Sequence, residues 1–477
     1  MAERMQKFVS VAQSWPEKRT STERAGDFHE IYKDFIAEKA TAQASRCAQC
    51  GVPFCQTHCP LQNNIPDWLK LTAEGRLQEA YELSASTNSM PEVCGRICPQ
   101  DRLCEGACVI EQSTHGSVTI GAVEKYLTDT AWREGWVAPI APRRERSESI
   151  GIIGAGPAGL AAAERMRVRG YQVTVYDRHD RIGGLLIYGI PNFKLEKEVV
   201  ERRAQRLIEG GVKFELNCSV GETISFEDVR ARHDAVLIAT GVYKAKPLNA
   251  PNDQTVVKAL DYLIAANRTG LGDDVPEFAS GALDAKDRRV VVIGGGDTAM
   301  DCVRTATRQG AKSVTCLYRR DRANMPGSQR EVGHAEEEGV AFDWLAAPKA
   351  VRAGKTPGVK AVRMRLGAPD ASGRQSPEET PESDYNVPGD LIIAALGFDP
   401  EDLPDAWDAL DLKTTRWGTV NVNPLTYATS LEGVYAAGDI VRGASLVVWA
   451  IREGRDAADA MHAWLQERAA TAQVAAE

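Results

Sequence analysis

The fold of this chain is decided by two stretches, Ile150-Gly-Ile-Ile-Gly154-Ala-Gly156-Pro-Ala-Gly159 and Val290-Val-Val-Ile-Gly294-Gly-Gly296-Asp-Thr-Ala299. Each places an apolar strand before a glycine-rich turn and a helix after it, the βαβ pattern of a dinucleotide-binding domain. In the first stretch Gly154 permits the tight turn, Gly156 lets a pyrophosphate approach the backbone, and Gly159 allows close packing of the helix on the strand. The second stretch replaces the last glycine with Ala299, an allowed variant. The sequence therefore predicts an α/β protein with two Rossmann-like nucleotide-binding domains.

The strand that follows each loop ends in residues of opposite charge. The first, Gln172–Tyr176, stops at Asp177, and the second, Ser313–Tyr318, stops at Arg319 and Arg320. An acid at this position accepts hydrogen bonds from ribose hydroxyls, whereas an arginine holds a 2′-phosphate. The contrast predicts FAD in the first domain and NADP(H) in the second. The alternative, that the arginines are solvated charges at a strand end, assigns no cofactor preference.

Candidate cofactor residues extend beyond the glycines. The helix N-termini supply the partial positive charge that binds phosphate. They add Pro157 and Ala158 to the FAD site, and Gly295, Asp297 and Thr298 to the NADP site. Two further apolar runs end in Thr240-Gly241 and in Gly438-Asp439, and the acid could bind the polyol chain of FAD. A helix with Trp449 and Ala450 follows, and its N-terminus would stabilise negative charge on a reduced flavin.

These positions predict four segments. A helical domain occupies 1–146, the FAD domain begins at 147–246, the NADP domain is inserted at 247–398, and the FAD domain resumes at 399–477. The polar stretch Pro139–Ser147 is interpreted as a linker. In the NADP domain, Ser328 and Glu331 are expected to cap a helix that ends in a solvated acidic run, Glu336–Glu338.

Eight of the eleven cysteines lie between Cys47 and Cys108. One run holds Cys47, Cys50, Cys55 and Cys59, and the other holds Cys94, Cys98, Cys104 and Cys108. Short irregular spacings with proline after a cysteine favour iron–sulfur ligation, and four cysteines per run suggest two 4Fe–4S clusters. Zinc is the alternative, but only Cys47 and Cys50 have its C-x2-C spacing. His58 could be a ligand, although four thiolates suffice and a solvent-facing role is preferred.

Helical periodicity surrounds these cysteines. Phe28, Ile31, Tyr32, Phe35 and Ile36 recur at helical spacing, and Asp27 with Glu30 resembles a capping box. A helical hairpin is expected over Ile65–Ser84, interrupted at Gly75. Outside the two runs, Cys218, Cys302 and Cys316 lack a C-x-x-C partner and are interpreted as core residues.

Composition sets outer bounds on function. A formal net charge of −9 with no basic stripe argues against nucleic-acid binding. The N-terminus lacks an apolar signal core, and no stretch of 18 apolar residues appears. A cytoplasmic protein without membrane association is therefore expected.

The cysteine runs, both glycine loops with their strand ends, Gly183-Gly184-Leu185-Leu-Ile-Tyr-Gly-Ile-Pro-Asn-Phe-Lys194, and Ala436-Ala-Gly-Asp439 occur in a familiar order. Together they resemble the family of small (β) subunits of NADPH-dependent glutamate synthases, over essentially the whole chain. The N-terminal half of dihydropyrimidine dehydrogenase is similar, and the FAD/NADP part resembles adrenodoxin reductase. The resemblance adds Gly184 and Leu185 to the expected FAD site.

The resemblance implies a role in electron transfer. NADPH would reduce FAD by hydride transfer without a protein acid or base, and electrons would pass through the clusters to a large FMN-containing subunit. That subunit makes glutamate from glutamine and 2-oxoglutarate, so a hetero-oligomer is expected. The chain begins Met1-Ala2, without the N-terminal cysteine of the relevant glutamine amidotransferases. An NADPH:ferredoxin-type or sulfide-dehydrogenase-type subunit would share every motif, whereas a disulfide reductase would need a cysteine pair beside the flavin.

The resemblance also implies how the cysteines divide. Carried over from the dehydrogenase relative, one cluster takes Cys47, Cys50, Cys55 and Cys108. The other takes Cys59, Cys98 and Cys104, with Glu124 where that relative has glutamine, and Cys94 is then spare. Spacing alone equally permits one cluster per run.

Overall fold

The computed structural model of the chain describes residues 5–354, 356–370 and 375–476; Met1 and Ala2 lie outside them. Its N-terminal part is helical: α1 Ser21–Gly26, α2 Ala37–Ala44, α3 Phe54–His58, α4 Ile65–Ala73, α5 Leu77–Thr87, α6 Pro91–Ile97 and α7 Ile120–Arg133. Helices α4 and α5 form the expected hairpin, and Gly75 between them has φ 77°. Pro91 ends the hairpin and begins α6, because its fixed φ suits a first helical turn. We call residues 5–146 the helical head.

The helix predicted over Phe28–Ile36 is wrong. The capping box is one element earlier, where the Thr20 side chain accepts from the Glu23 amide and Glu23 from the Thr20 amide at the start of α1. The Glu30 carboxylate accepts from the backbone amides of Ile31 and Tyr32, at 2.9 and 3.2 Å. Such side-chain contacts compete with helical hydrogen bonds and favour an irregular backbone.

The next part of the chain alternates strands and helices: β1 Ser149–Ile153, α8 Pro157–Val168, β2 Gln172–Tyr176, α9 Leu185–Tyr188, α10 Lys197–Glu209, β3 Lys213–Glu215, α11 Phe226–Arg232 and β4 Ala235–Ile238. The strands are parallel, with β1 between β2 and β4. Ile150, Ile152 and Leu237 are fully buried in this sheet. Burial on both faces explains why the strands are continuous apolar runs.

The following part of the chain contains a second parallel sheet and the elements around it. In chain order these elements are β5 Lys244–Ala245, β6 Val257–Lys258, α12 Ala259–Gly270, α13 Pro276–Ala279, β7 Arg289–Ile293, α14 Asp297–Arg308, β8 Ser313–Tyr318, α15 Gln329–Glu337, β9 Ala341–Trp344, β10 Ala346–Arg352, β11 Gly358–Pro369, β12 Gln375–Glu379, β13 Tyr385–Pro388 and β14 Leu391–Ala394. The parallel order is β6-β14-β7-β8-β9, and β10–β13 form an antiparallel sheet beside it. The second glycine loop joins β7 to α14.

The chain then returns to the first sheet through β15 Phe398–Asp399, α16 Leu403–Ala406, β16 Val434–Ala436, α17 Asp439–Arg442 and α18 Val447–Ala476. Strands β15 and β5 pair antiparallel where the chain leaves and re-enters the second sheet. Strand β16 pairs with β4 and completes the order β16-β4-β1-β2-β3. The predicted fold class, two Rossmann-like units preceded by a helical domain, is confirmed. Among the described residues, no helix is long and apolar enough to span a membrane.

Two expectations for α15 are wrong. The Ser328 hydroxyl does not cap α15 but donates to the Asp101 carboxylate of the helical head, at 3.1 and 3.2 Å. The acidic run is solvated only in part, because the Glu338 side chain is fully buried and its carboxylate binds the guanidinium groups of Arg304 and Arg308. Arg24 of the head contacts the same carboxylate at 3.2 Å. This end of α15 is therefore an ion-pair junction between the head and the second sheet.

Candidate functional site

The first glycine loop has the shape that a pyrophosphate needs. Gly154 has φ +111°, and a Cβ there would be 2.3 Å from the Ala239 carbonyl oxygen. A Cβ on Gly159 would be 1.9 Å from the carbonyl oxygen of Gly154, whereas one on Gly156 would meet nothing within 4 Å. Helix α8 begins at Pro157, and buried Ala158 follows in its first turn. The loop thus leaves open space in front of a helix N-terminus, where an anion binds favourably.

The Gly183–Leu185 segment lies directly on this loop. The Gly183 amide donates to the carbonyl oxygen of Ala155 at 3.0 Å. Gly184 has φ +54°, and a Cβ there would be 2.9 Å from Gly156 Cα. Leu185 begins α9 immediately afterwards. The structure therefore brings Gly184 and Leu185 to the predicted FAD site, although sequence periodicity gave no signal for them.

Asp177 closes the other side of the loop. Its buried carboxylate accepts from the Ala155 amide at 2.7 Å and from the His179 amide at 2.8 Å. A carboxylate oxygen can accept more than one hydrogen bond, so Asp177 retains capacity for a ribose hydroxyl.

A cavity beside the loop connects Asp177 to Thr240. It is lined by Gly154, Asp177, Cys218, Thr240, Tyr243 and Trp407, among others. The Thr240 hydroxyl is buried without a hydrogen-bond partner, and Gly241 follows it with φ +73°. A buried hydroxyl of this kind usually has a partner. The donor and acceptor set of this cavity therefore fits a dinucleotide.

Asp439 follows β16, and the preceding Gly438 packs against Ala158 of α8. Burial raises the pKa of its carboxyl to about 7. The preceding Gly438 has φ +80°, and its amide donates to the carboxylate of Glu453 at 3.0 Å. Sequence reasoning missed Glu453, because nothing in the α18 pattern distinguishes it from a surface acid. A carboxyl that burial desolvates in this way needs a hydrogen-bond partner, and a polyol hydroxyl would provide one.

Helix α18 brings Trp449 and Ala450 to the same region. Ala450 is buried and lies near Gly438, and the Trp449 ring stacks under the Arg442 guanidinium at 4.1 Å. Close packing of α18 on α8 depends on Gly454, where a Cβ would be 2.1 Å from the Ala158 carbonyl oxygen. Both predicted residues therefore lie beside the first loop.

The second glycine loop repeats the geometry of the first. Gly294 has φ +149°, and a Cβ there would be 2.2 Å from the Ala395 carbonyl oxygen. A Cβ on Gly295 would collide with the ring of Tyr318 at 2.3 Å, whereas one on Gly296 would meet nothing within 4 Å. Helix α14 begins at Asp297 and continues through Thr298 and the buried Ala299. Open space again faces a helix N-terminus.

Arg319 and Arg320 follow β8 at the edge of this loop. Arg319 is exposed, and Arg320 is half-buried with a buried Nε that has no hydrogen-bond partner. An unpaired guanidinium N–H is a strong donor for phosphate. The residues present therefore fit a 2′-phosphate.

Four thiols of the two cysteine runs lie close together in the head. Burial, together with negative charge at Cys47, Cys108 and Cys50, raises the pKa of Cys55 to about 12. Burial likewise raises the pKa of Cys47 to about 11, with Cys108 and Cys50 again adding to the effect. These four residues are the set that the resemblance implies, drawn from both runs.

A second group surrounds Glu124. Burial raises the pKa of Cys98 and of Cys104 well above the usual range, and both are further raised by negative charge at Cys59 and Glu124. Cys94 is affected by the same neighbours, so it belongs to this group as a fifth member. Burial raises the pKa of Glu124 to about 8, and Ser84 donates to its carboxylate at 3.3 Å.

Metal ligation depends on the chemistry of these donors. Among the described residues, no three His, Cys, Asp or Glu side chains are arranged to hold a metal ion. In a 4Fe–4S cluster each thiolate binds a different iron, so the ligands stand around a larger group than one ion. Burial keeps these thiols protonated, so a ligand role requires a cluster to supply the positive charge that stabilises their thiolates. The donor atoms of the two groups are therefore of the type that 4Fe–4S clusters use, with four donors in the first group and five in the second.

The second group lies where two hydrophobic cores meet. Cys94 and Cys98 belong to the core that contains Leu186 and Ile451 of the first-sheet unit. Cys104 belongs to the core of the head, as Cys47 and Cys108 of the first group do. Only the second group therefore has buried members in the core shared with the first-sheet unit.

The predictions for Cys302, Cys316 and His58 agree with the structure. Cys302 and Cys316 are fully buried core residues. His58 is exposed, and its Nδ1 is 3.0 Å from the carbonyl oxygen of Phe54. Cys218 follows β3 rather than lying in a strand, and it packs against the core around Phe226 and Trp407 while lining the cavity beside Asp177.

Comparison with known proteins covers the whole chain. Residues 24–136 match the family described as dihydropyrimidine dehydrogenase domain II, 4Fe-4S cluster, and residues 148–454 match pyridine nucleotide-disulphide oxidoreductase. The chain is 62% identical to a protein of Azospirillum brasilense named glutamate synthase [NADPH] small chain, over 100% of this chain and 99% of that one. It is 45% identical to the Escherichia coli K12 protein of the same name, over 98% of this chain and 100% of that one.

A solved structure shares the fold. Mycobacterium tuberculosis FprA in complex with NADPH superimposes with a TM-score of 0.58 at 19% sequence identity, covering 69% of this chain and 86% of that one. This likeness supports the two-sheet architecture and carries no finer conclusion.

Proposed function

We propose, from the premise that this chain belongs to the family of glutamate synthase [NADPH] small chains, that it is the electron-input subunit of a glutamate synthase. The chain is an NADPH-dependent oxidoreductase with an iron–sulfur domain and two nucleotide-binding units. When bound, FAD would take a hydride from NADPH and the iron–sulfur clusters would carry its electrons towards a large FMN-containing subunit. That partner would complete glutamate formation from glutamine and 2-oxoglutarate.

FAD is assigned to the first-sheet unit. Its pyrophosphate would face Gly154–Gly159, its ribose Asp177, and its polyol chain Asp439. The unpartnered Thr240 hydroxyl and the glycine contact between Gly184 and Gly156 support this assignment. Accordingly, we place the FAD domain at 147–246 and 399–477, two segments that meet where β5 pairs with β15.

NADPH is assigned to the inserted domain at 247–398. The N-terminus of α14 would hold its pyrophosphate, and Arg319 with Arg320 its 2′-phosphate. Hydride transfer needs the two rings close and oriented, so the protein has to position them rather than supply an acid or base.

The clusters are assigned to the N-terminal domain, residues 1–146, which contains the helical head. One would be held by Cys47, Cys50, Cys55 and Cys108, and the other by Cys59, Cys98, Cys104 and Glu124. The grouping of thiols from both runs carries this proposal, because one cluster per run would pair Cys55 with Cys59 rather than with Cys108. The second cluster would accept electrons first, because Cys98 lies in the core that the head shares with the first-sheet unit.

The test uses the isolated chain and the chain with its large subunit. Alone, it should oxidise NADPH with an artificial dye and make no glutamate from glutamine and 2-oxoglutarate. Adding the large subunit should start synthesis. Glutamate production by the isolated chain would refute the proposed division of labour.

A different acceptor is the second candidate. The chain is 44% identical to the E. coli K12 protein named putative oxidoreductase AegA, over 96% of this chain but 70% of that one. The same module therefore occurs within a longer oxidoreductase. Co-purification from the native cell decides between the two functions. The main candidate predicts that a large subunit co-purifies with the chain, and the alternative predicts another redox protein.

A further inference from the structure

One segment of the FAD domain reaches both nucleotide loops. We call residues 183–194 the bridging segment. At its start, Gly183 and Gly184 contact Ala155 and Gly156 of the first loop. At its end, the Lys194 ammonium group lies 2.8 Å from the carboxylate of Asp301, one turn into the helix that follows the second loop. The relative position of the two loops therefore depends on this segment.

Its C-terminal end is inserted into the NADP domain. Phe193 is fully buried, with the guanidinium groups of Arg308 and Arg304 at 3.8 and 4.6 Å from its ring. Lys194 also approaches Glu331 of α15 at 3.4 Å. The Lys194 and Asp301 side chains are only 12% and 10% exposed, so water screens their attraction little. This end of the segment is fixed to two helices at once.

The middle of the segment is rigid for a separate reason. Lys197 donates to the carbonyl oxygens of Leu186 and Ile190, and Asn267 donates to that of Tyr188 at 2.8 Å. These donors satisfy carbonyls that a helix as short as α9 leaves free at its C-terminus. A displacement at Lys194 would therefore be transmitted to Gly184 instead of being absorbed between them.

We propose that Lys194 is a positioning residue for hydride transfer, holding α14 and its nucleotide loop at a fixed place relative to the flavin loop. The inference rests on the proposed transfer of hydride from NADPH to FAD. Lys194 touches neither cofactor in this assignment and acts through Asp301 and the bridging segment. Loss of its charge would leave two buried carboxylates, Asp301 and Glu331, without this cation and let α14 shift.

The fold itself should survive that loss. Helix α12 of the NADP domain is held independently, by Arg268 on Asp180 and by Arg181 on Asp273. Glu331 keeps Arg304 at 2.7 Å. Lys194→Met therefore tests position rather than folding, and Lys194→Arg, which retains a cation, is its conservative partner.

The first experiment measures flavin reduction by NADPH in rapid mixing, at saturating NADPH, with unlabelled and 4-deuterated cofactor. Lys194→Met should slow flavin reduction by roughly 10- to 100-fold, the cost of a misplacement of about 1 Å. The NADPH dissociation constant and the FAD content should stay close to wild type, and Lys194→Arg should recover much of the rate. Lys18→Met is the matched control, because Lys18 joins the head to Glu337 by an exposed ion pair.

The second experiment needs no cofactor. Hydrogen exchange in flavin-free protein should become faster in peptides covering 183–190 and 294–300 for Lys194→Met, and stay unchanged for Lys18→Met. If Lys194→Met yields no folded protein, Asp301→Asn is compared in both experiments instead. Wild-type flavin that NADPH cannot reduce would overturn the proposed function. If NADPH reduces the wild-type flavin and Lys194→Met has the same reduction rate and the same hydrogen exchange as wild type, only the positioning role is overturned.

Discussion

Gly184 lies so close to Gly156 that a Cβ on Gly184 would be 2.9 Å from the neighbouring Cα, and its φ of +54° with ψ −128° is a glycine-type conformation that costs alanine roughly 1–3 kcal/mol. Gly184→Ala should therefore push the bridging segment off the flavin loop and lower the FAD content of purified protein. Flavin absorbance per chain measures this. Gly270→Ala is the control, since a Cβ there would meet nothing within 4 Å. Full FAD occupancy in Gly184→Ala would contradict the assigned site.

Arg320 should determine the preference for NADPH. Its unpaired Nε suits a charge-assisted contact with a 2′-phosphate, so Arg320→Ala should cost roughly 1.5–3 kcal/mol in kcat/KM with NADPH and little with NADH. Steady-state dye reduction with each cofactor gives both values, and Arg319→Ala should behave alike. Arg322→Ala provides a control, because Arg322 pairs with exposed Glu336. Equal losses with both cofactors would assign the arginines another role.

Iron content should distinguish the two cysteine arrangements. If Cys94 is spare, Cys94→Ser should retain about eight irons per chain, whereas Cys98→Ser should lose roughly four. Iron and acid-labile sulfide, measured on anaerobically purified protein with its partner bound, test this. Cys302→Ala should leave both unchanged, because Cys302 is a core residue of the NADP domain. Equal iron loss in Cys94→Ser and Cys98→Ser would favour one cluster per run, and stoichiometric zinc without sulfide would overturn the cluster assignment.

Asp439 should make flavin-free protein less stable as the pH rises. Burial raises the pKa of its carboxyl from 3.8 to about 7, so between these values the unfolded chain has already released a proton that the folded chain retains. Its contribution to the free energy of unfolding therefore falls through this window and stays low above it. Asp439→Asn should raise the unfolding temperature relative to wild type at pH 8 but not at pH 4, while weakening FAD binding. Asp399→Asn, at an exposed acid, should do neither.

Glu338 should matter most for folding stability. Although burial opposes it, the guanidinium groups of Arg308 and Arg304 lower the pKa of Glu338 to about 2. Glu338→Gln leaves these cations without their carboxylate and should cost about 3–5 kcal/mol in the free energy of unfolding. Its effect should disappear as the pH falls from 4.5 towards 2, where the unfolded and then the folded carboxyl is protonated. Denaturant unfolding of Glu338→Gln beside the exposed Glu336→Gln measures the difference, and equal stability of the two would contradict the junction.

Local sequence pattern was sufficient to predict structure wherever the residues that interact are also neighbours in sequence. The glycine loops, their strands and the α4–α5 hairpin follow from spacing, because each motif contains the backbone geometry that it needs. Failures occurred where distant segments meet. Phe28–Ile36 has helical periodicity, yet the Tyr32 hydroxyl lies 3.1 Å from the His334 ring nitrogen and the Tyr32 backbone pairs with that of Lys18. Glu338 was expected in water for the same reason, since Arg24 and Arg304 are remote in sequence.

The candidate site also combines features set by local sequence with features set by distant segments. The positions of Asp177 and Arg320 beside their loops could be predicted, because a strand end has a fixed place relative to its loop. Lys194 and Glu453 could not, since their importance comes from carbonyls and carboxylates brought to them by other elements. Division of the cysteines between two groups also required the resemblance, because a run of thiols does not specify which of them converge.

The pairing of β16 with β4 has a consequence for synthesis of the protein. The ribosome makes β4 long before β16, and the whole inserted domain emerges between them. Until β16 and Asp439 have left the exit tunnel, the first sheet lacks an edge strand and the proposed flavin site lacks Asp439. The inserted domain contains its own complete sheet and can fold first, as domains generally do during translation. Flavin should therefore be captured only at the end of chain synthesis or after release, by a chain whose NADP domain is already folded.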